Sequence, residues 1–397
     1  MPREVVRLHR AQAEFRKSDA LYRGFVGGRG AGKTWVGAYD LIRRAKPGRT
    51  YLVAAPTYPM LRDSSIRSFE GITRAIGFLK SFSRGENVVT LGNGAQILFR
   101  STDNPDRLRG PNLSGAWLDE AGEMSEQAYL IAIACLREGG EQGWLSATFT
   151  PRGRQHWTYR VFGQGKDDTA LFTACTSENP FNPPGFEDTL RKQYTSAFAE
   201  QELAGRFVDL AGTVAKRNWF RIIDAAPACS RRVRAWDFAA TPEDAQGRGD
   251  YTVGKLLGRH AEGWVVLKSV RERVAGGSVA GLVRRTAEED GPEVEIIIEQ
   301  EPGSSGKIAS SYITRELAGY NVRTIRPSAD KLTRAMPLLA QAEAGNVSIL
   351  RAPWNDAYLD ELAAFPGGEH DDQVDATAHA FNALTESGAG VWMPGVA

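Results

Sequence analysis

The chain has 397 residues, a formal net charge of +1, 42% hydrophobic residues and 24% charged residues, the composition of a folded globular protein too long for one ordinary core. Two domains are therefore expected, and near-neutrality excludes a globally basic polyanion binder without excluding one whose acidic sites offset basic tracks. Three isolated cysteines, Cys135, Cys175 and Cys229, exclude a disulfide framework and a zinc site of paired thiols.

A short apolar strand over residues 21–26 leads into Gly27-Gly28-Arg29-Gly30-Ala31-Gly32-Lys33-Thr34, and a helix follows over 35–44. Further strands are read at 51–56, 115–121, 144–151 and 171–176, with helices at 61–76 and 126–137. An Asn-Gly turn within 88–99 predicts a hairpin. Helical segments at 186–194 and 197–207 close this first module. The pattern restarts after an irregular basic stretch. Strands at 233–238 and on both sides of a polar turn within 250–274 precede a helix at 278–289, a strand at 294–300, a helix at 307–317, a strand at 322–327 and two final helical stretches. The fold class is α/β, with a mostly parallel sheet in a first domain over 1–210, a linker over 211–230 and a second domain over 231–397. No apolar run reaches bilayer length and the N-terminus lacks a signal-peptide core, so a cytoplasmic protein without a membrane partner is expected.

The strand–loop–helix order around residues 27–34 is the setting a phosphate loop needs. Its glycines turn consecutive backbone N–H groups toward one anion, the helix N-terminus adds its dipole, Lys33 reaches the terminal phosphates, and Thr34 can ligate Mg²⁺. Asp119 and Glu120, at the end of the apolar stretch 115–118, suit a Mg²⁺ partner and a group that orients and activates the attacking water. Arg109, in a polar loop ahead of that strand, is a candidate for transition-state charge in cis or from a neighbouring subunit. Thr148 and Thr150 end the next strand, where a hydroxyl can sense the γ-phosphate. Gln12 carries an amide suited to an adenine edge.

The second module places Asp237 inside an apolar strand, where an unpartnered carboxylate is costly. Glu299 ends another apolar run, and Asp371, Asp372 and Asp375 open the last helix. Carboxylates from two strand ends and a helix start suit Mg²⁺ or Mn²⁺, which clamp the oxygens of an in-line phosphoryl displacement. Asp250 is a further candidate ligand. Arg231, Arg232, Arg234, Lys216 and Arg217 form a basic tract that is a candidate for DNA-backbone contacts.

The ordered set GGRGAGKT, AWLDEA, ATFTP, AWDF, IIIEQ and HDDQVDA resembles the large terminase subunit of tailed bacteriophages and related gene-transfer particles. The resemblance implies an N-terminal P-loop ATPase motor and a C-terminal ribonuclease H-like nuclease. It also implies metal ligation by Asp237, Glu299 and Asp371 or Asp372, Arg109 as a trans-acting finger, Gln12 as the adenine contact, and Arg29 as a phosphate contact. The implied partners are ATP with Mg²⁺, double-stranded DNA, the portal protein of the procapsid, the small terminase subunit and further copies of the chain in a ring. A cellular helicase–nuclease would need a second motor fold, and no second nucleotide site is found. A non-catalytic DNA-binding scaffold would not need Lys33, Glu120 and the carboxylate set intact.

Overall fold

The computed structural model describes residues 6–210, 212, 214–238, 251–274, 278–300, 304–326 and 329–386. The chain divides into two compact units, Met1–Arg191 with Ala197–Asp209, and Lys192–Ser196 with Leu210–Ala397.

Among the described residues, eight strands form the sheet of the first unit: β1 (Tyr22–Gly27), β2 (Thr50–Ala55), β3 (Leu79–Ser83), β4 (Val88–Leu91), β5 (Gln96–Ser101), β6 (Gly115–Asp119), β7 (Trp144–Phe149) and β8 (Thr169–Ala174). Their order is β3-β4-β5-β2-β6-β7-β1-β8. From β5 to β8 all neighbours are parallel, and only β4 pairs antiparallel, with β3 and β5. The central strands β1, β2, β6 and β7 are buried along almost their whole length, as a parallel sheet covered on both faces requires. The expected hairpin is present, its turn closed by Asn93 Oδ1 accepting from Ala95 N at 3.1 Å. The helix Lys33–Arg44 buries Val36, Ala38 and Leu41 and is pinned to β1 by a fully buried pair, Arg23 to Asp40 at 2.6 Å. This arrangement aligns the C-terminal ends of β1, β6 and β7, the edge where open α/β sheets bind ligands.

In the second unit, β9 (Arg221–Ile223), β10 (Arg231–Asp237), β11 (Thr252–His260), β12 (Gly263–Glu272), β13 (Glu295–Glu299), β14 (Val322–Ile325) and β15 (Val347–Leu350) follow the order β14-β13-β10-β11-β12-β15-β9. β10, β11 and β12 form an antiparallel meander, while β13 and β14 run parallel to β10. Within the stretch read as linker, β9 pairs parallel with β15, a strand too short to carry a periodic signal. Trp236 aligns with Ile298, and both bury toward the helices Val279–Asp290 and Ser304–Glu316. Alternation then sends Asp237 and Glu299 to the opposite face. There the helix Asp372–Thr385 packs on β10 and β11. No helix among the described residues is long and apolar enough to cross a membrane.

Candidate active sites

The phosphate loop is held from three sides. Gly30 and Gly32 sit at φ +72° and +78°, left-handed positions that favour glycine. A Cβ on Gly28 would lie 2.2 Å from Leu203 O, so only glycine lets the loop approach that backbone. Arg29 N donates to Glu202 O at 2.7 Å, Thr176 Oγ1 donates to Arg29 O at 2.8 Å, and Asn179 Nδ2 donates to Gly30 O at 2.5 Å. Lys33 Nζ is buried and donates to Gly27 O and Gly28 O at 3.2 and 3.1 Å, which keeps the ammonium over the mouth of the loop.

Asp119 is the hub of this site. Its Oδ1 accepts from Thr34 Oγ1 at 3.2 Å and Thr148 Oγ1 at 2.8 Å, and its Oδ2 accepts from Ser65 Oγ at 2.7 Å. Thr148 in turn accepts from Trp117 Nε1 at 2.8 Å, so the loop, β6 and β7 converge on one carboxylate. Burial, reinforced by the neighbouring Glu120 charge, pushes Asp119 up to about 6 against the three hydroxyl donors. A buried carboxylate beside the loop threonine fits a divalent cation, whose charge would offset that cost. Glu120 adopts φ +53° and ψ 44°, a left-handed conformation uncommon for a residue with a long side chain. The backbone therefore turns sharply after β6, and among the described residues no group hydrogen-bonds the Glu120 carboxylate.

Three other expected participants have internal partners. Gln12 is buried; its Nε2 donates to Gly32 O at 3.2 Å and its Oε1 accepts from His9 N at 3.4 Å, which places it against the loop. The Arg29 guanidinium pairs with Glu202 at 3.0 Å. Exposed Arg109 pairs with Asp106 at 2.8 Å, and no described contact joins it to the loop.

In the second unit, Asp237 lies mostly buried. Burial, together with the Asp375, Asp372 and Glu299 charges, pushes it up to about 8, with Lys331 acting in the opposite sense. Asp372 is pushed up to about 6 by burial, Glu361 and Asp371, and its buried Oδ2 has no hydrogen-bond partner. Glu299 Oε2 meets His379 Nε2 at 2.7 Å. Burial alone would raise the Glu299 carboxyl, but the His379 hydrogen bond and nearby positive charge hold it below its ordinary value. Asp371 faces Lys331 at 2.6 Å, while Asp375 takes Lys331 at 3.0 Å and Arg334 at 2.8 Å. Burial alone would lower the Lys331 ammonium, but these two acids hold it above its ordinary value. Among the described residues no three Asp, Glu, His or Cys side chains stand close enough to grip an ion as placed. The donors still fit one: they are hard oxygens, one of them buried and unpartnered, around an acid whose charge costs most when no cation is near. Asp250 lies outside the described residues.

Several neighbours of this site escaped sequence reasoning. His379 had a signal, standing four residues after Asp375 on the same helix face. Lys331 and Arg334 had none, since only packing of Lys331–Glu343 against the last helix brings them to the acids. Glu361 caps the last helix from outside, accepting from Gln373 N at 2.6 Å, Val374 N at 3.4 Å and Gln373 Nε2 at 2.7 Å. Buried Lys255 donates to Gln373 Oε1 at 2.9 Å and lies 3.6 Å from the Tyr358 ring centroid. The basic tract is largely paired. Arg234 is buried against Asp290 at 2.7 Å, which removes it as a DNA contact, and Arg231, Arg232 and Arg217 pair with Glu295, Glu293 and Asp356.

Residues 25–222 match the family described as Terminase large subunit, T4likevirus-type, N-terminal, and residues 234–384 match the Terminase RNaseH-like domain. The PBSX phage terminase large subunit of Bacillus subtilis (strain 168) is 30% identical over 169 residues, 40% of this chain and 39% of that relative. The large terminase of a thermophilic bacteriophage is similar in fold, with a TM-score of 0.68 at 15% identity over 96% of this chain and 99% of that one. A structure of the same phage protein in complex with ADP gives 0.66 at 16% identity, covering 96% and 100%. With a P-loop NTPase unit followed by a ribonuclease H-like nuclease unit, each matched by a terminase family, the chain belongs to the large terminase subunits of tailed bacteriophages.

Proposed function

We propose that this chain is the motor and the cutting enzyme of a DNA-packaging machine, hydrolysing ATP to drive double-stranded DNA into a procapsid and cleaving the concatemer. The observation that carries the motor reading is the convergence of Thr34, Thr148 and Ser65 on the buried Asp119 carboxylate, Thr34 being the last residue of the loop. Lys33 and the loop amides bind the β- and γ-phosphates, and Thr34 with Asp119 would hold Mg²⁺, which neutralises charge on the phosphates. Glu120 orients the attacking water and takes its proton. Gln12 contacts the adenine after exchanging its loop partners, Arg29 leaves Glu202 to meet phosphate, and Arg109 serves a neighbouring copy in a ring. That the thermophilic phage protein was solved with ADP supports a nucleotide site in this fold.

In the nuclease, Asp237, Glu299, Asp372 and Asp371, with Asp375 and Asp250 beside them, would hold Mg²⁺ or Mn²⁺, which activates water and stabilises the leaving oxygen. His379 orients Glu299, and Lys331 and Arg334 hold the last-helix acids in place. DNA, the portal protein and the small terminase subunit are the partners, and the bacterial cytoplasm is the site of action. The test is paired. DNA-stimulated ATPase should fall at least about a hundredfold in Glu120→Ala, while Mn²⁺-dependent plasmid cleavage should vanish in Asp237→Ala and persist in Glu120→Ala. Equal ATPase in wild type and Glu120→Ala would overturn the motor assignment, and undiminished cleavage in Asp237→Ala the metal site.

A further inference from the structure

Glu299 ends β13 on the acidic face, and the next residue, Gln300, alternates to the other face at the same edge of the sheet. There a cavity of about 620 Å³ is lined by Gln300, Ser311, Thr314, Arg315, Thr324 and Arg326. Gln300 N donates to Ile325 O at 2.8 Å, which sets residues 300 and 326 side by side beyond the parallel pair β13–β14. Arg326 Nε donates to Gln300 Oε1 at 3.0 Å, leaving its terminal guanidinium nitrogens and the Gln300 amide NH₂ without described partners. Ser311, Thr314 and Arg315 share one helix face through their three- and four-residue spacing. Among the described residues neither arginine has a carboxylate partner and the lining contains no acid. Arg323, on the same strand, shows the contrast: it pairs with both Glu295 and Glu386, at 3.0 and 2.5 Å. Two guanidiniums with no described acid partner, beside the Ser311 and Thr324 hydroxyls and the Gln300 amide, make a site for a phosphate, while the Thr314 hydroxyl is taken by Ser310 O at 2.8 Å.

We propose that this cavity is a phosphate subsite for the strand being cut, taking a backbone phosphate that neighbours the scissile one held at Asp237 and Glu299. The proposal rests on the nuclease reading above. Glu299 and Gln300 are consecutive at the C-terminal end of β13, so the acids and the cavity lie on either side of one sheet edge, where a nucleic-acid backbone following that edge meets both. The subsite would add affinity and register without reading bases.

The test uses the full chain, the double variant Arg315→Gln/Arg326→Gln and each single variant, with Arg284→Gln, which removes one charge from a surface i,i+4 pair, as the control for the singles. Duplex binding without divalent ion is titrated across salt concentrations, cleavage is measured in Mn²⁺, and inorganic phosphate binding is followed by ³¹P line broadening. The expected result is a salt slope reduced by about one to two in the double variant, with KM for plasmid raised several-fold, kcat little changed, and Arg284→Gln like wild type. An unchanged slope and KM, or an equal change in Arg284→Gln, overturns the proposal. Loss of phosphate binding with an unchanged DNA slope also overturns it, assigning the cavity to free phosphate. Absence of wild-type cleavage would instead defeat the nuclease reading, and the slope would still decide the subsite.

Discussion

Asp237 shows how one residue ties stability to pH. Its carboxyl sits at about 8 in the folded protein because it is buried among Asp375, Asp372 and Glu299, whereas an unfolded aspartate titrates near 3.9. Between those values the folded state keeps a proton that the unfolded state has lost. Stability therefore falls as pH rises from about 4 to about 8, by roughly 1 kcal/mol per unit from this group, and levels off above. Asp237→Asn cannot titrate. In melts with chelator present, its stability relative to wild type should climb across that window. A divalent ion competes with the same proton, so Mn²⁺ should raise the wild-type melting temperature more at pH 8 than at pH 5. A variant–wild-type difference that stays flat with pH would show that Asp237 is already ionised.

At the scale of elements, the last helix depends on a cap supplied by another segment. Glu361 accepts from the Gln373 and Val374 amides and from the Gln373 side chain. Replacing it by alanine strands buried donors next to Asp372 and Asp375, at a cost of about 2–4 kcal/mol. Glu361→Ala should lower the urea midpoint of the second unit and reduce Mn²⁺-dependent cleavage, and Glu361→Gln, which keeps an acceptor, should recover part of both. A midpoint equal to wild type would refute the capping role. The same region marks the limit of what the sequence discloses. Apolar runs identified β1, β2, β6, β7 and β13, and Asn93-Gly94 identified the hairpin, because these signals are local. Asp237 was legible as an acid where an acid is expensive, and Glu299 and Asp372 as acids at a strand end and a helix start that can converge with it. Lys331 and Arg334 were not, since a lysine and an arginine on an amphipathic helix look like solvated charge until tertiary packing turns them inward. β3 was missed because its side chains alternate only weakly between exposed and half-buried.

For the whole molecule, a net charge of +1 conceals local imbalance: an acidic cluster on one face of the second sheet and, on the other, a cavity whose described charged lining is Arg315 and Arg326. Each unit encloses its own apolar clusters, around Leu118 and Val53 in the first and around Trp236 in the second. A fragment spanning residues 210–397 should thus melt cooperatively and cut plasmid DNA with Mn²⁺. Its cleavage should be abolished by Asp237→Ala, and ATP should have no effect on its rate. A fragment that shows no cooperative transition would mean that its fold requires the first unit.

The left-handed backbone at Glu120 places two demands on a single codon. The proposed activation of water by Glu120 wants a carboxylate on a long arm, and the turn wants a residue at ease with positive φ, a property of glycine, asparagine and aspartate rather than glutamate. Aspartate would relax the backbone but withdraw the proton acceptor by one methylene, and glycine would relax it further and remove the acceptor altogether. Random mutagenesis of this position would therefore yield variants that express better than the parent and turn over no nucleotide, and a screen for solubility alone would select against the motor.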